Sequence, residues 1–465
     1  PGAWQLLRTG PQPRSYTVDA PVCTPISEHL ATPHRGPGVF NRCPAGAGGH
    51  RIGETRRYTV RVTRTSGPAQ PVAHVLRWVG NDGTFRAPSL VLLPLNKPVE
   101  ITVWAQPRAG VHSAIFRVDD PWTSIVDTEI LFVVVAAHPL ASPTYAFTTT
   151  GSVERNSSRS YFVTVPEGAS ALQVDLTSMA SGSQIRFIAI NPYGVPVENT
   201  SSLVCYSDFS DPAVCDPRAR HYADPMPGVW EIEVEARRTS PRLDNPFRLQ
   251  VRAQGVAVAP ATVDLPSVTI GEPTPVTWTL RNTFGPVTVS GQGGPLGSVR
   301  GDRPTIANRT IQAYRVTVPE GVTRFDVSIG NPEDPAADLD LYVRLDGREV
   351  GRAADGDSEE TVSLRNPAPG EYEVLVVAYS VPNGTTRYDY RDAFFSPALG
   401  SVTVPSTTTK LGHNATAAIT ATVTAAATPP AGRTLVGELA VVTDGGAVVG
   451  RGTVAIGRVT PQPAG

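Results

Sequence analysis

Lysine is nearly missing from this chain: Lys97 and Lys410 are the two in 465 residues, and arginine carries almost all of the positive charge. The formal net charge is −2, and no basic run is interleaved with aromatics. Nothing electrostatic therefore points to a nucleic-acid partner. Long apolar runs are missing as well. The longest, Ile130 to Ala137, has the length of a buried strand and is far too short to cross a bilayer, so no membrane span is expected. No Gly-x-Ser-x-Gly turn, His-Glu-x-x-His pair or phosphate-binding loop occurs, and the eight histidines are scattered singly. A lone histidine on a sheet is more often a surface or satisfied core residue than a base.

What is present is turn residues and alternation. Gly and Pro number 42 and 45, and charged residues make up 18% of the chain, below the usual quarter or so. This length and composition predict several β-sandwiches of about 100 residues each. One stretch organises the rest. Tyr314, Val316 and Val318 alternate with polar neighbours, then Leu339, Leu341 and Val343, then Tyr372, Val374 and Val376. Each run reads as a half-buried strand. Pro319-Glu320-Gly321 and Asn366 to Gly370 are breaker clusters that turn the chain between them.

A second copy lies upstream. Tyr161 to Gly168 matches Tyr314 to Gly321 at an offset of 153, and Pro227 to Val234 matches Pro369 to Val376 at 142. The first copy thus carries 11 extra residues between these landmarks, and Cys205 and Cys215 fall inside that interval. A disulfide-closed loop on a repeated sandwich explains the extra length. The other two cysteines, Cys23 and Cys43, are also close in sequence. An even count in a turn-rich chain favours two disulfides and an oxidising compartment. The competing reading of the first pair is zinc held with His29 and His34, although the spacing fits no CxxC knuckle.

The repeated pieces resemble the pre-peptidase C-terminal domain, which stands behind the catalytic domains of many secreted bacterial peptidases. Ala3, Trp4 and Leu7 fit the helix that closes the catalytic domain of subtilisin-type enzymes. Gly110 to Ala114 and Asp119-Asp120-Pro121 are similar to the module that follows it in tripeptidyl-peptidase II-like subtilases. The chain as a whole resembles the non-catalytic C-terminal region of a secreted subtilase of that kind. The resemblance implies an all-β fold of tandem sandwiches, one immunoglobulin- or fibronectin-like and two jelly-roll-like. The expected division is 1–50 (remnant helix and irregular disulfide-pinned connection), 51–140 (immunoglobulin-like sandwich), 141–253 (first repeat), 254–301 (short β segment), 302–390 (second repeat) and 391–465 (C-terminal β segment). Whether 254–301 and 391–465 form one discontinuous domain is open at this stage.

The Asp, His-Gly-x-His and Gly-Thr-Ser-x-Ala motifs of subtilisin-type catalysis are absent, so no catalytic residue is carried over. The resemblance implies a catalytic domain before residue 1, covalently joined or cleaved, as the principal partner. Polypeptide substrates would be met through that parent, self-association is a further option, and the location is secreted or cell-surface. The alternative is a surface or matrix protein that uses tandem sandwiches for adhesion or assembly. No cofactor is expected apart from calcium. Asp338 and Asp340 share one strand face, with Asp355-Gly356-Asp357 within reach in a later loop, and hard oxygen ligands cluster this way. The competing reading is that these aspartates cap turns and strand ends. Glu231, Glu233 and Glu235 read as a solvated sheet face. Trp78, Trp104, Trp230 and Trp278 lie in strand patterns and are expected in cores, which argues against a carbohydrate-binding platform.

Overall fold

The computed structural model describes residues 14–29 and 34–462 of the chain. The fragment Ala3 to Leu7 lies outside them. The chain divides at Gly255/Val256 into two compact units, each built of strands stacked as sandwiches, the all-β class that the alternation predicts.

In the first unit the period-2 pattern settles which side chains face inward. Arg56–Arg64 buries Tyr58, Val60 and Val62, Pro98–Ala105 buries Ile101, Val103 and Ala105, and Thr128–Ala136 buries Ile130, Phe132 and Val134. These form one core, into which Trp78 packs with its ring 4.4 Å from Phe116 and 5.1 Å from Phe132. Trp104 departs from expectation and is 42% exposed. Its neighbours Val103 and Ala105 point inward, so the pleat sends Trp104 out.

Residues 16–23 and 35–41 also differ from the irregular connection expected of 1–50. Tyr16–Cys23 is a strand whose residues Tyr16 to Asp19 pair with Arg56–Arg64, while Val22 and Cys23 pair in parallel with Val39–Asn41. A strand that changes partner halfway, with Pro21 at the change, carries no single period for the sequence to display. Cys23 and Cys43 are joined, with Cα atoms 5.6 Å apart, so the bond fastens the end of that strand beside its second partner. Both sulfurs are used, which removes the zinc alternative.

The first repeat follows in the same unit. One sheet holds Ser158–Val165, Gly228–Ala236 and Ile185–Ile190, and the facing sheet holds Ala146–Glu154, Asp244–Gln254, Ala171–Thr177 and Ala219–Ala223. In the second unit the same order recurs. Ile311–Val318, Gly370–Ser380 and Asp338–Leu345 make the first sheet, and Gly297–Asp302, Asp389–Phe395, Arg324–Gly330 and Thr361–Arg365 run together in the other. Matching details confirm the equivalence. Gly168 and Gly321 close the Pro-Glu-Gly turns at φ 76 and 78, the left-handed region glycine favours. Trp230 Nε1 donates to the Met226 carbonyl at 2.8 Å, and Tyr372 OH donates to the Ala368 carbonyl at 2.9 Å, at corresponding positions.

The flanks of the second repeat are interleaved. Thr274–Asn282 pairs with Thr416–Ala425, and Gly297–Asp302 lies between Asp389–Phe395 and Thr434–Thr443. Residues 256–302 and the C-terminal segment therefore share sheets, and the second repeat is threaded between them. Trp278, fully buried, anchors this part. A Cβ at Gly452 would meet its Nε1 at 2.8 Å, so that strand needs glycine there.

Candidate metal centre

Strand Asp338–Leu345 turns Leu339, Leu341 and Val343 into the sandwich core, which leaves Asp338 and Asp340 on the other face. That face is not open. The loop between Ala353 and Thr361 folds back over it, with Leu339 N donating to the Asp357 carbonyl at 3.2 Å and Ser358 Oγ to the Ala337 carbonyl at 2.6 Å. The loop is itself tied by carboxylates. Glu360 Oε1 accepts from Asp355 N at 2.9 Å, Asp355 Oδ1 from Asp357 N at 3.1 Å, and Asp357 Oδ1 from Glu359 N at 2.8 Å.

Three carboxylates meet there, and two more stand beside them. One oxygen each from Asp355, Asp357 and Glu360 lies within 4.8 Å of the others. Asp338 and Asp340 border this group, and each acts electrostatically on its neighbours. Burial, then Asp355 and Asp357, raise the Asp338 pKa, while burial, then Asp338 and Asp355, raise that of Asp340. The Glu360 pKa is also raised, first by burial and then by Asp355, Asp357 and Asp340, against the Asp355 N–H bond that lowers it. Every charged group acting on Asp338 and Asp340 is a carboxylate. Asp340 is 8% exposed, and among the described residues its carboxylate has no hydrogen-bond or ion-pair partner; Asp338 Oδ1 is likewise buried and unpartnered.

The sequence drew attention to Asp338, Asp340, Asp355 and Asp357 but missed Glu360. Val362 is buried, so alternation turns Glu360, two residues earlier, inward as well. The signal was readable from the strand that follows.

The equivalent place on the first repeat is built differently. Ile185 lies opposite Ala236 and Leu339 opposite Ala378, which sets Arg186 in the position of Asp340 and Gln184 in that of Asp338. Arg186 pairs with Glu235 at 2.5 Å and lies 4.8 Å from the centre of the Tyr206 ring. Tyr206 sits on the loop closed by Cys205–Cys215, whose Cα atoms are 6.0 Å apart, and its hydroxyl donates to Glu235 at 3.2 Å. Glu231 pairs with Arg42 at 3.5 Å, so two of the three glutamates read as a solvated face are engaged in ion pairs.

Residues 17–136 match the Ig-like domain in actinomycete serine proteases, and residues 310–378 match the bacterial pre-peptidase C-terminal domain. The first repeat lies outside both matches, and its kinship rests on the strand order shared with the second. Pyrolysin of Pyrococcus furiosus is 26% identical over 324 residues, which are 68% of this chain and 22% of pyrolysin. The chain thus spans about a fifth of that relative's length. The crystal structure of tripeptidyl peptidase 2 (TPP II) aligns with 97% of this chain and 40% of its own, at 14% identity and a TM-score of 0.47. The two domain matches and the likeness to pyrolysin mark the chain as a subtilase-associated, non-catalytic region of the protease accessory kind.

Proposed function

We propose that this chain is the accessory region of a secreted subtilisin-type serine peptidase, and that it supports the folding and substrate access of a catalytic domain carried by the same protein. The observation that carries this reading is the occurrence, in one chain, of two different domains of the kind attached to proteases. The likeness to pyrolysin, running through 68% of the chain, supports it further. The parent's reaction would be acyl transfer from peptide to serine and then to water, performed outside this chain. Two disulfides and the lack, among the described residues, of any helix long and apolar enough to cross a membrane fit an extracellular setting.

The outer face of the first sandwich supplies a surface suited to such a partner. Val79, Ile115 and Leu131 stand side by side on three adjacent strands, with Val79 38% and Leu131 55% exposed, and Phe40 lies opposite Val133 in the next row. Apolar rows of this kind are association surfaces on a soluble protein.

The test has two arms. The isolated chain is expected to leave casein and tripeptide substrates intact and to give no covalent labelling by a fluorophosphonate probe; stoichiometric labelling of one of its serines would overturn the reading. In the natural host, deletion of residues 14–465 from the coding sequence should sharply lower secreted peptidase activity. Unchanged activity, or an upstream sequence without a subtilase triad, favours the adhesion or assembly alternative instead.

A further inference from the structure

We propose that Asp355, Asp357 and Glu360, with Asp340 and Asp338 beside them, hold one calcium ion, which clamps the loop between Ala353 and Thr361 onto the strand Asp338–Leu345. The proposal stands on the arrangement of the second unit alone and needs no peptidase to be correct.

Charge balance comes first. Carboxylates held close together repel one another; here Asp355 and Asp357 are exposed while Glu360 and Asp340 are buried, and a buried carboxylate normally has a cation or several N–H donors beside it. Two such donors serve Asp355 and Glu360, and another serves Asp357, but all come from within the loop. Asp340 has none, although it is more than nine-tenths buried and its charged neighbours are Asp338 and Asp355. On the first repeat Arg186 occupies the position of Asp340 and is balanced across the sheet by Glu235. On the second repeat Asp340 lies opposite Val377, so no side chain across the sheet balances its charge. A bound cation restores the balance.

The donor set selects which cation. All five side chains offer carboxylate oxygen, the preference of hard ions, whereas zinc favours histidine nitrogen and cysteine sulfur. Two oxygens on opposite sides of a calcium ion, each at about 2.4 Å, stand about 4.8 Å apart. The oxygens of Asp355, Asp357 and Glu360 lie within that same limit, 4.8 Å. Calcium accepts six to eight oxygens in adaptable geometry, and part of this set comes from a loop; magnesium demands a near-ideal octahedron and gives up water reluctantly.

The consequence is a division of labour between the repeats. A disulfide holds the long loop on the first, and an ion holds the loop at the corresponding strand on the second. Calcium sites in extracellular modules bind at about 0.1 to 1 mM, so the ion would be bound outside a cell and lost inside it.

The experiment uses the full chain in calcium-free buffer. Isothermal titration calorimetry with calcium should give one equivalent per chain, and terbium should give luminescence that calcium quenches. Heating with calcium at about 100 times Kd should raise the unfolding transition of the second unit by roughly 5–10 °C relative to EDTA, with magnesium giving much less. Asp340→Asn and Asp355→Asn should each abolish the calcium shift while leaving the protein at least as stable as wild type in EDTA, because each removes one repelling charge. That pairing separates a lost ligand from a misfolded variant. Arg186→Ala, on the first repeat, should leave the shift intact. No heat of binding and no shift with about 10 mM calcium, or a full shift retained in both Asn variants, overturns the proposal.

Discussion

The two repeats share a core and differ on their outsides. In strand Ser158–Val165 the outward residue Phe162 is 4% exposed, packed with Val135, Ala137 and Val229, and Arg42 lies 5.8 Å from its ring centre. At the matching positions the second repeat has Arg315 and Glu371, which form a solvated pair at 3.9 Å. The first repeat has thus become one body with the immunoglobulin-like sandwich before it, further joined where His138 and Pro139 pair with Val163 and Thr164. The second is held instead through sheet strands that continue into its flanks. Inward positions kept their character because a packed core penalises change on both sides of each residue. Outward positions were free to be recruited, to a neighbouring sandwich, to a disulfide loop or to a carboxylate cluster.

The largest effect is expected at the shared core. Trp230→Ala and Tyr372→Ala remove equivalent side chains, each 2% exposed and each bonded to the carbonyl four residues before it. Both should cost about 3–5 kcal/mol, read by urea denaturation with hydrogen exchange resolving the two units. A large loss in one unit and a small one in the other would break the equivalence of the repeats. Exchanging the outward residues probes the difference itself. Phe162→Arg should cost the first unit about 3 kcal/mol, whereas Arg315→Phe should change the second by no more than about 0.5 kcal/mol. Similar costs for both would mean that the Phe162 contact contributes little. The smallest of the three is the disulfide. Cys205→Ser with Cys215→Ser opens a loop of sequence separation 10 and should cost about 2–3 kcal/mol in the first unit, with no change in the second.

Much of this was legible in the residues. Alternation located the strands, the offsets of 153 and 142 exposed the duplication, and the sequence-local cysteines anticipated the two bonds that the structure contains. Alternation assigns a side chain to one face of a strand. It does not say what lies across that face. The burial of Phe162, the exposure of Trp104 and the closing of the Asp338–Asp340 face by the loop that brings Glu360 each depend on a neighbour distant in sequence or on which face became the core. Strand partners were equally beyond reach. Thr274–Asn282 finds a partner in Thr416–Ala425, with the whole second repeat between them, and Tyr16–Cys23 divides itself among three. Local pattern fixes each strand's period through the pleat, whereas pairing is decided by whichever distant backbone satisfies its N–H and C=O groups while burying its apolar face, a choice that only the assembled sheets make.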